Sequence, residues 1–271
     1  MTTYIIGNGF DIAHGLDTSF ESFRDYIENN NSKLLYLFDG EDYWSDFERN
    51  MCSVNHEAYR NIQDMFKGIP QFVNSLFDEI CEELFLFLSK NNYKCGRLFK
   101  FKKDDIFLNF NYTPTLVETY DIDACNVYHI HGSIAEEMFD SESKLILGHD
   151  KSDYETNPNL FGGKYEQDYL NFLYYTIKPY EEIIESNEFK LFMEKVNSSD
   201  KIVILGLSYG SVDMNYLKYI FDNMDNHIRV IFYYYGNEDL ARLNSFINDG
   251  LSNLDYEIRC CKGENYYEKE L

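Results

Sequence analysis

Short motifs of glycine and polar residues recur along this 271-residue chain where strands are expected to end. At least three of them follow an apolar run that is typical of a buried β-strand. In an open α/β sheet, ligands bind beyond the carboxyl ends of the strands, where the loops begin. The sequence therefore predicts one site assembled from distant segments. The five motifs are Gly7-Asn8-Gly9-Phe10-Asp11, Asn109-Phe110-Asn111-Tyr112-Thr113, His129-Ile130-His131-Gly132, Leu147-Gly148-His149-Asp150 and Gly206-Leu207-Ser208.

The first motif has the place of a dinucleotide-binding turn, because it follows the first apolar run of the chain. Gly7 and Gly9 allow a tight turn and a close approach of the backbone to a ligand. Ile12 replaces the third glycine of the usual fingerprint, so a purely structural turn stays an alternative. Asp11 would repel a phosphate and suits a ribose hydroxyl, a protonated nucleophile or a metal. The candidate binding residues here are Gly7, Asn8, Gly9 and Phe10.

An amide and an imidazole are candidates for the reacting centre. Asn111 carries both a donor and an acceptor, so it could hold a sugar hydroxyl or orient a water. The alternative is an Asx-turn before the next helix, which fits Asn109 best. His131 immediately precedes Gly132, and an imidazole pKa near neutrality suits a general base.

Three histidines raise the alternative of a metal site. His129 and His131 alternate along a predicted strand, which would point both side chains to one face. Together with His149 they could supply three nitrogens to zinc. A buried histidine bonded to backbone is the competing interpretation, and we favour it for His129 and His149. We therefore assign no metal ligand.

The last motif follows the most apolar run of the chain, Lys201 to Leu205, which is typical of a strand buried on both faces. Gly206 and Ser208 could approach a phosphate or a ribose there. Ser211 could instead cap the following helix, with Asp213 in its first turn, and both interpretations can hold together. Gly206, Ser208 and Asp213 are thus further candidate binding residues.

Alternating strand and helix patterns predict the framework, a Rossmann-like parallel α/β sheet in a single domain over residues 1–271. A capping-box pattern, Thr18-x-x-Glu21, predicts the start of the first helix. Residues 151–166 read as an irregular loop, and a long amphipathic helix is predicted over about 167–196. The predicted strands are Thr3 to Ile6, Asp105 to Asn109, Asn126 to Ile130, Lys144 to Leu147, Lys201 to Leu205, Ile228 to Tyr235 and Tyr256 to Cys260; the other helices are Pro114 to Tyr120, Val212 to Phe221 and Glu238 to Ile247.

Residues from about 31 to 100 break this alternation. An apolar residue recurs every fourth position after Pro70, which predicts a long helix. We interpret the segment as a helical insertion that caps the site. The apolar stripe consists of Phe72, Leu76, Ile80, Leu84 and Leu88.

The chain is strongly acidic, since 24 Lys and Arg stand against 47 Asp and Glu for a net charge of −23. Such a field repels phosphate backbones and disfavours nucleic acid as a partner. No apolar run is long enough to cross a membrane, and the N-terminus lacks the features of a signal peptide. The six cysteines show no Cys-x-x-Cys spacing, which indicates reduced thiols and a cytoplasmic location.

The opening residues from Ile5 to Leu16, together with Thr18 and Phe23, closely resemble the bacteriophage abortive infection AbiH family. The later motifs agree, so the resemblance extends over nearly the whole chain. AbiH proteins are in turn similar to sirtuin-like NAD-binding proteins. Sirtuins carry, in this order, a glycine-rich first loop, an Asn at a strand end, a His-Gly pair and a Gly-x-Ser loop. By that resemblance, the corresponding residues of this chain are Gly7 and Gly9, then Asn111, then His131-Gly132, and then Gly206 with Ser208.

The resemblance implies a bacterial antiviral protein that hydrolyses NAD or a related nucleotide at the N-glycosidic bond. Asn111 would position the ribose or the water, and His131 would act as the base. Asp11 is the third catalytic candidate, chosen for its own carboxyl chemistry and not through the resemblance. No cofactor is expected beyond the nucleotide itself. Two alternatives stay open: a metal-dependent nuclease using Asp11, His131 and Asp213, and a non-catalytic module that senses a nucleotide or binds a defence-system protein. A homo-oligomer is compatible with each.

Overall fold

A six-stranded, fully parallel sheet forms the centre of the fold in the computed structural model, which describes residues 1–38, 44, 46–65, 72–137, 145–156, 167–249 and 254–261. The strand order is β3-β2-β1-β4-β5-β6, so the direction of winding reverses between β1 and β4. This is the order of the doubly wound dinucleotide-binding sheet. The predicted Rossmann-like α/β class is confirmed. The strands are β1 Thr2–Ile6, β2 Ile106–Asn109, β3 Val127–His129, β4 Lys201–Leu205, β5 Arg229–Tyr234 and β6 Tyr256–Cys260.

Burial on both faces explains the composition of the central strands. Every residue of β1 and β2 is buried, as are the last four residues of β4. Such strands must be almost continuously apolar, which is why short apolar runs indicated them in the sequence. The two outer strands, β3 and β6, are only partly buried.

Strand register aligns the ends of four neighbouring strands. Ile6, the last residue of β1, pairs with Asn109 on β2 and with Leu205 on β4. Asn109 pairs in turn with His129 on β3. The loops that follow β1 to β4 therefore start at the same carboxyl edge of the sheet.

The chain divides into two compact units. The sheet unit comprises Met1–Asp17, Asn91–Ser143 and Pro179–Leu271, and contains all six strands. A buried aromatic cluster against β1 and β2, including Tyr4, Phe10 and Phe107, forms part of its core. Its helices are Gly9–Ala13, Thr115–Tyr120, Ile134–Glu137, Tyr180–Glu185, Asn187–Asn197, Ser211–Asn223 and Asn237–Asn248, with a 3₁₀ turn at Ala124–Asn126.

The helical unit comprises Thr18–Lys90 and Lys144–Lys178. Aromatic rings fill its interior; Trp44, for example, stacks on Phe47 with ring centroids 4.8 Å apart. Leu76, Ile80 and Leu84 are buried, which confirms the apolar stripe where side chains are described. Its helices are Phe20–Asn30, Ser32–Leu35, Phe47–Asn50, His56–Met65, Phe72–Leu88, Lys151–Thr156 and Gln167–Tyr175, with a 3₁₀ turn at Met51–Ser53. The single domain over 1–271, the insertion at about 31–100 and its capping role stay predictions.

Several predicted boundaries were wrong for identifiable reasons. The first long helix is capped by Ser19, whose side chain accepts from the Ser22 backbone N–H, and not by a box starting at Thr18. The predicted helix over 167–196 is three helices: the first ends at Tyr175, before Pro179, and the extended residue Ser186 separates the other two.

The stretch before and after the fourth motif also differs from the prediction. Residues 145–148 form no strand, and the only pairing nearby is a single bridge between His149 and Ile177; Lys144 lies outside the described residues. Lys151–Thr156 is helical where an irregular loop was predicted, and 157–166 lie outside the described part.

Candidate functional site

The loop after β1 packs directly on the loop after β4. A Cβ added to Gly206 would lie 2.2 Å from the Phe10 nitrogen and 2.7 Å from the Gly9 carbonyl carbon. The Gly9 N–H donates to the Gly206 carbonyl oxygen at 2.8 Å. Glycine is therefore required here by the contact between two loops, whatever ligand binds nearby.

Most N–H groups of the glycine turn are already used inside the protein. Gly7 donates to the Leu205 carbonyl oxygen at 2.9 Å, and Phe10 donates to the Gly7 carbonyl oxygen at 2.9 Å. Gly9 is bonded to Gly206 as described above. A phosphate cradle needs free N–H groups aimed at the ligand, so these three residues do not form one in this conformation.

Asp11 lies on the short helix Gly9–Ala13, which the sequence analysis missed. Its side chain is fully buried; Oδ2 accepts from the Thr113 hydroxyl at 2.5 Å, whereas Oδ1 has no hydrogen-bond partner within the described residues. Burial raises the pKa of this carboxyl to about 6, although Thr113, Thr115 and Asn111 act in the opposite direction. Among the described residues, the groups that counteract the effect of burial on the Asp11 carboxyl are thus neutral.

Asn111 connects the first two motifs. Its Nδ2 donates to the Gly7 carbonyl oxygen at 3.2 Å. Its backbone N–H donates to Oδ1 of Asn109 at 3.1 Å, an Asx-type contact that gives Asn109 the predicted structural role. Asn111 is buried beside the carboxyl of Asp11, so two of the three predicted catalytic side chains meet.

His129 has a structural role, as the sequence analysis favoured. Its Nδ1 donates to the Asn111 carbonyl oxygen at 3.1 Å, and burial lowers its pKa to about 4. Because β3 ends at His129, His131 lies in the turn that follows. The prediction that the two histidines share one strand face was therefore wrong.

His131 forms a pair with Asp213. The distance from His131 Nε2 to Asp213 Oδ1 is 3.0 Å, and the side chains are 2% and 22% exposed. Phe110 and Tyr216 place their rings 5.6 and 5.7 Å from the imidazole. The carboxylate favours the tautomer with a proton on Nε2 and orients the ring. The sequence analysis named both residues without predicting this bond.

The loop after β4 adopts two left-handed residues, Gly206 with φ +69° and Tyr209 with φ +55°. Tyr209 is buried and its hydroxyl donates to the Tyr233 carbonyl oxygen at 2.7 Å, which anchors the loop to the end of β5. No sequence signal identified Tyr209, because tyrosine is rare in this conformation. Gly210 is the N-cap of the helix that begins at Ser211, so Ser211 is not the cap. Ser208 is exposed.

The fourth motif is structural in the helical unit. His149 is fully buried, and its Nδ1 and Nε2 lie 2.9 and 3.0 Å from the carbonyl oxygens of Asp150 and Leu173. Burial lowers the pKa of His149.

Across the described ranges, no three His, Cys, Asp or Glu side chains are placed to hold a metal ion. All six cysteines are free thiols.

Sequence comparison identifies the family. A family model described as bacteriophage abortive infection AbiH matches residues 3–235. The chain belongs to the AbiH family. A search of curated proteins found no match. The family description indicates a role in abortive infection, and hence in defence against bacteriophage.

The matched region of this AbiH protein contains every candidate residue of the sheet unit, from Gly7 to Asp213, and ends after β5. In the part of the chain that the structure describes, none of the helices has the length and apolar character needed to cross a membrane.

Proposed function

We propose that this AbiH protein defends against phage by hydrolysing NAD or a related nucleotide at the N-glycosidic bond. The observation that supports the proposal is the presence of two buried pairs, Asp11 beside Asn111 and His131 bonded to Asp213, on the segments that follow β1 to β4 at the carboxyl edge of the sheet. In doubly wound sheets the ligand crevice opens at this edge, at the point where the strand order reverses. Here that point lies between β1 and β4.

The proposed reaction is a displacement at C1′ of the ribose. Water attacks C1′, the C1′–N bond breaks, and its electron pair leaves with the base. The proton of the water passes to the His131–Asp213 pair, in which Asp213 is the more exposed member. General-base help of this kind contributes about 10²–10⁴-fold to the rate.

The carboxylates have a second role in the proposal. Glycoside cleavage develops positive charge on the sugar ring in an oxocarbenium-like transition state. A negative charge fixed in a site of low dielectric stabilises that charge more strongly than water does. Asp11 and Asp213 supply such charges, and Asn111 would hold the ribose between them.

A nucleotide-sensing module that does not cleave its ligand is the second candidate. The near-complete burial of Asp11, Asn111 and His131 favours it, because reacting groups must reach the substrate. In that case the same residues would stabilise one conformation of the loops, and ligand binding would change that conformation.

Nicotinamide release from NAD tests the proposal. We expect Asn111→Ala and His131→Ala each to lower the rate at least about 100-fold, because both act at the reacting centre. His227→Ala is the matched control, since His227 is an exposed histidine that precedes β5 at the other edge of the sheet. Thermal unfolding of the wild type, the two variants and the control is measured on the same samples, to show that each protein is folded.

Unchanged nicotinamide release in both variants, with normal melting, would show that the assignment is wrong. If the wild type releases no nicotinamide, even in lysate of infected cells, but binds NAD in calorimetry, the sensing candidate replaces the enzyme.

A further inference from the structure

We infer that the site recognises the ribose and a cationic pyridinium base and takes little binding energy from phosphates, so that a phosphate-free pyridinium riboside is its preferred ligand class. The inference rests on the proposed function and narrows it. Three features of the sheet unit carry it: the use of the backbone donors, the sign of the charged side chains at the site, and the location of the basic residues.

The first feature is the use of the backbone donors. In a typical dinucleotide site, the N–H groups of the glycine turn bind the pyrophosphate. Here the N–H groups of Gly7, Gly9 and Phe10 donate to carbonyl oxygens of the protein at 2.8–2.9 Å. A pyrophosphate would have to displace those bonds before it could accept from these three N–H groups.

The second feature is the sign of the charge at the site. Two of the predicted binding and catalytic residues have acidic side chains, Asp11 and Asp213, and none is a lysine or an arginine. Asp11 is balanced by hydroxyl and amide groups, and no Lys or Arg is among the described groups that shift its pKa. Like charges repel strongly in a buried site. The site therefore favours a cation over a dianion.

The third feature is the location of four basic side chains of the sheet unit. Lys201 and Arg229 begin β4 and β5, and Lys102 and Lys103 precede β2. In a fully parallel sheet, the residues that begin strands lie at the edge opposite the carboxyl ends. These four cations of the sheet unit are thus placed away from the loops that carry the candidate site, where a phosphate would need them.

The chemistry of the leaving group selects the base. When the C1′–N bond of a pyridinium riboside breaks, the electron pair neutralises the cationic ring, so nicotinamide departs without protonation. A purine departs as an anion unless an acid protonates it. The more exposed member of the pair, Asp213, is a carboxylate, which suits the acceptance of a proton from water. A pyridinium glycoside therefore matches the site better than a purine nucleoside.

Four probes test the inference with the full-length wild type: nicotinamide riboside, nicotinamide mononucleotide, NAD and inosine. Base release gives kcat/KM, and calorimetry gives Kd for each compound. We expect the riboside to have a kcat/KM at least about tenfold above that of NAD, with the mononucleotide between them and inosine lowest. Raising the salt concentration should lower kcat/KM for the riboside and raise it for NAD, because salt screens attraction and repulsion alike.

Charge neutralisation provides the second arm. Asp213→Asn should weaken riboside binding and strengthen NAD binding, so the ratio of the two Kd values should move toward one. Asp222→Asn is the matched control, because Asp222 is an exposed carboxyl on the same helix, Ser211–Asn223. It should leave that ratio unchanged.

The outcomes separate this inference from the proposed function. Efficient turnover of NAD with a weaker response to the riboside overturns the inference and leaves glycosidic hydrolysis in place. Tighter binding of the riboside without turnover of any probe supports the inference and overturns hydrolysis. Absence of binding by all four probes overturns both.

Discussion

Replacing Gly206 by alanine should damage the junction between the loops after β1 and β4. The residue has φ +69°, a conformation that costs an L-residue about 1–2 kcal/mol. The new Cβ would also lie 2.2 Å from the Phe10 nitrogen and 2.9 Å from the Gly7 carbonyl oxygen. Both are backbone atoms, so no side-chain rotation can relieve the overlap.

The two costs give the expected magnitude. Overpacking by an added methyl group costs about 1–3 kcal/mol in a close-packed region. With the left-handed conformation, Gly206→Ala should lower the free energy of unfolding by about 2–5 kcal/mol. That is a large share of the roughly 5–15 kcal/mol that stabilises a typical domain.

Gly15→Ala separates the conformational cost from the steric one. Gly15 has φ +75°, and a Cβ added there would meet no atom within 4 Å. Gly15→Ala should therefore lower the free energy of unfolding by only about 1–2 kcal/mol. Both variants reduce the entropy of the unfolded chain equally, so this effect cancels in the comparison.

Urea and thermal unfolding followed by circular dichroism measure the difference. The single tryptophan, Trp44, lies in the helical unit, so its fluorescence reports that unit and cannot be the only probe. We expect Gly206→Ala to melt about 2–12 °C below Gly15→Ala, from about 2–4 °C per kcal/mol in a chain of this size. Equal melting temperatures would refute the argument that packing between the loops requires this glycine.

Two further predictions concern single residues. The stability of Asp11→Asn relative to the wild type should increase by about 2 kcal/mol as pH rises from 4 to 7. The folded pKa of Asp11, about 6, exceeds the ordinary 3.8, so the wild type loses stability as Asp11 ionises. Urea unfolding at each pH gives the difference in free energy of unfolding between the two proteins, in which the protonation of His129 cancels because it affects both. A difference that does not change with pH would contradict the burial argument. Ser19→Ala should cost about 1 kcal/mol by removing the acceptor of the Ser22 N–H, and circular dichroism melting checks it; an unchanged melting temperature would show that Ser19 is not the effective cap.

The sheet was predictable because its strands carry a strong local signal. β1 ends in the apolar run Tyr4-Ile5-Ile6 and β4 in the apolar run Ile202 to Leu205, and each run is followed directly by glycine. Boundaries were less predictable where one residue decides them. Pro179 separates the first two of the three helices that the periodic pattern predicted as one. The strand predicted at Lys144 to Leu147 had no neighbouring strand to pair with in the described residues.

The sequence selected candidates for the site but not the bonds between them, and the roles of those candidates stay predictions. Residue type, position after a strand and the family resemblance selected Asp11, Asn111, His131 and Asp213. The bond between His131 and Asp213 joins positions 82 residues apart, and no local pattern carries such a distance. The role of Gly206 also depends on a backbone contact with a remote loop, which composition cannot reveal.

The loops at the carboxyl edge form one connected structure. Gly206 accepts a bond from Gly9, Gly7 accepts one from Asn111, and Asn111 accepts one from His129. The loops after β4, β1, β2 and β3 are therefore joined in sequence through specific atoms. A displacement at Gly206 should pass along these bonds to Asn111 through the loop after β1, which is bonded to both residues. For this reason Gly206→Ala should reduce ligand binding in the protein that remains folded, whereas Gly15→Ala, which meets no other loop, should not. Equal binding by the two variants at a temperature well below melting would show that the loops respond independently.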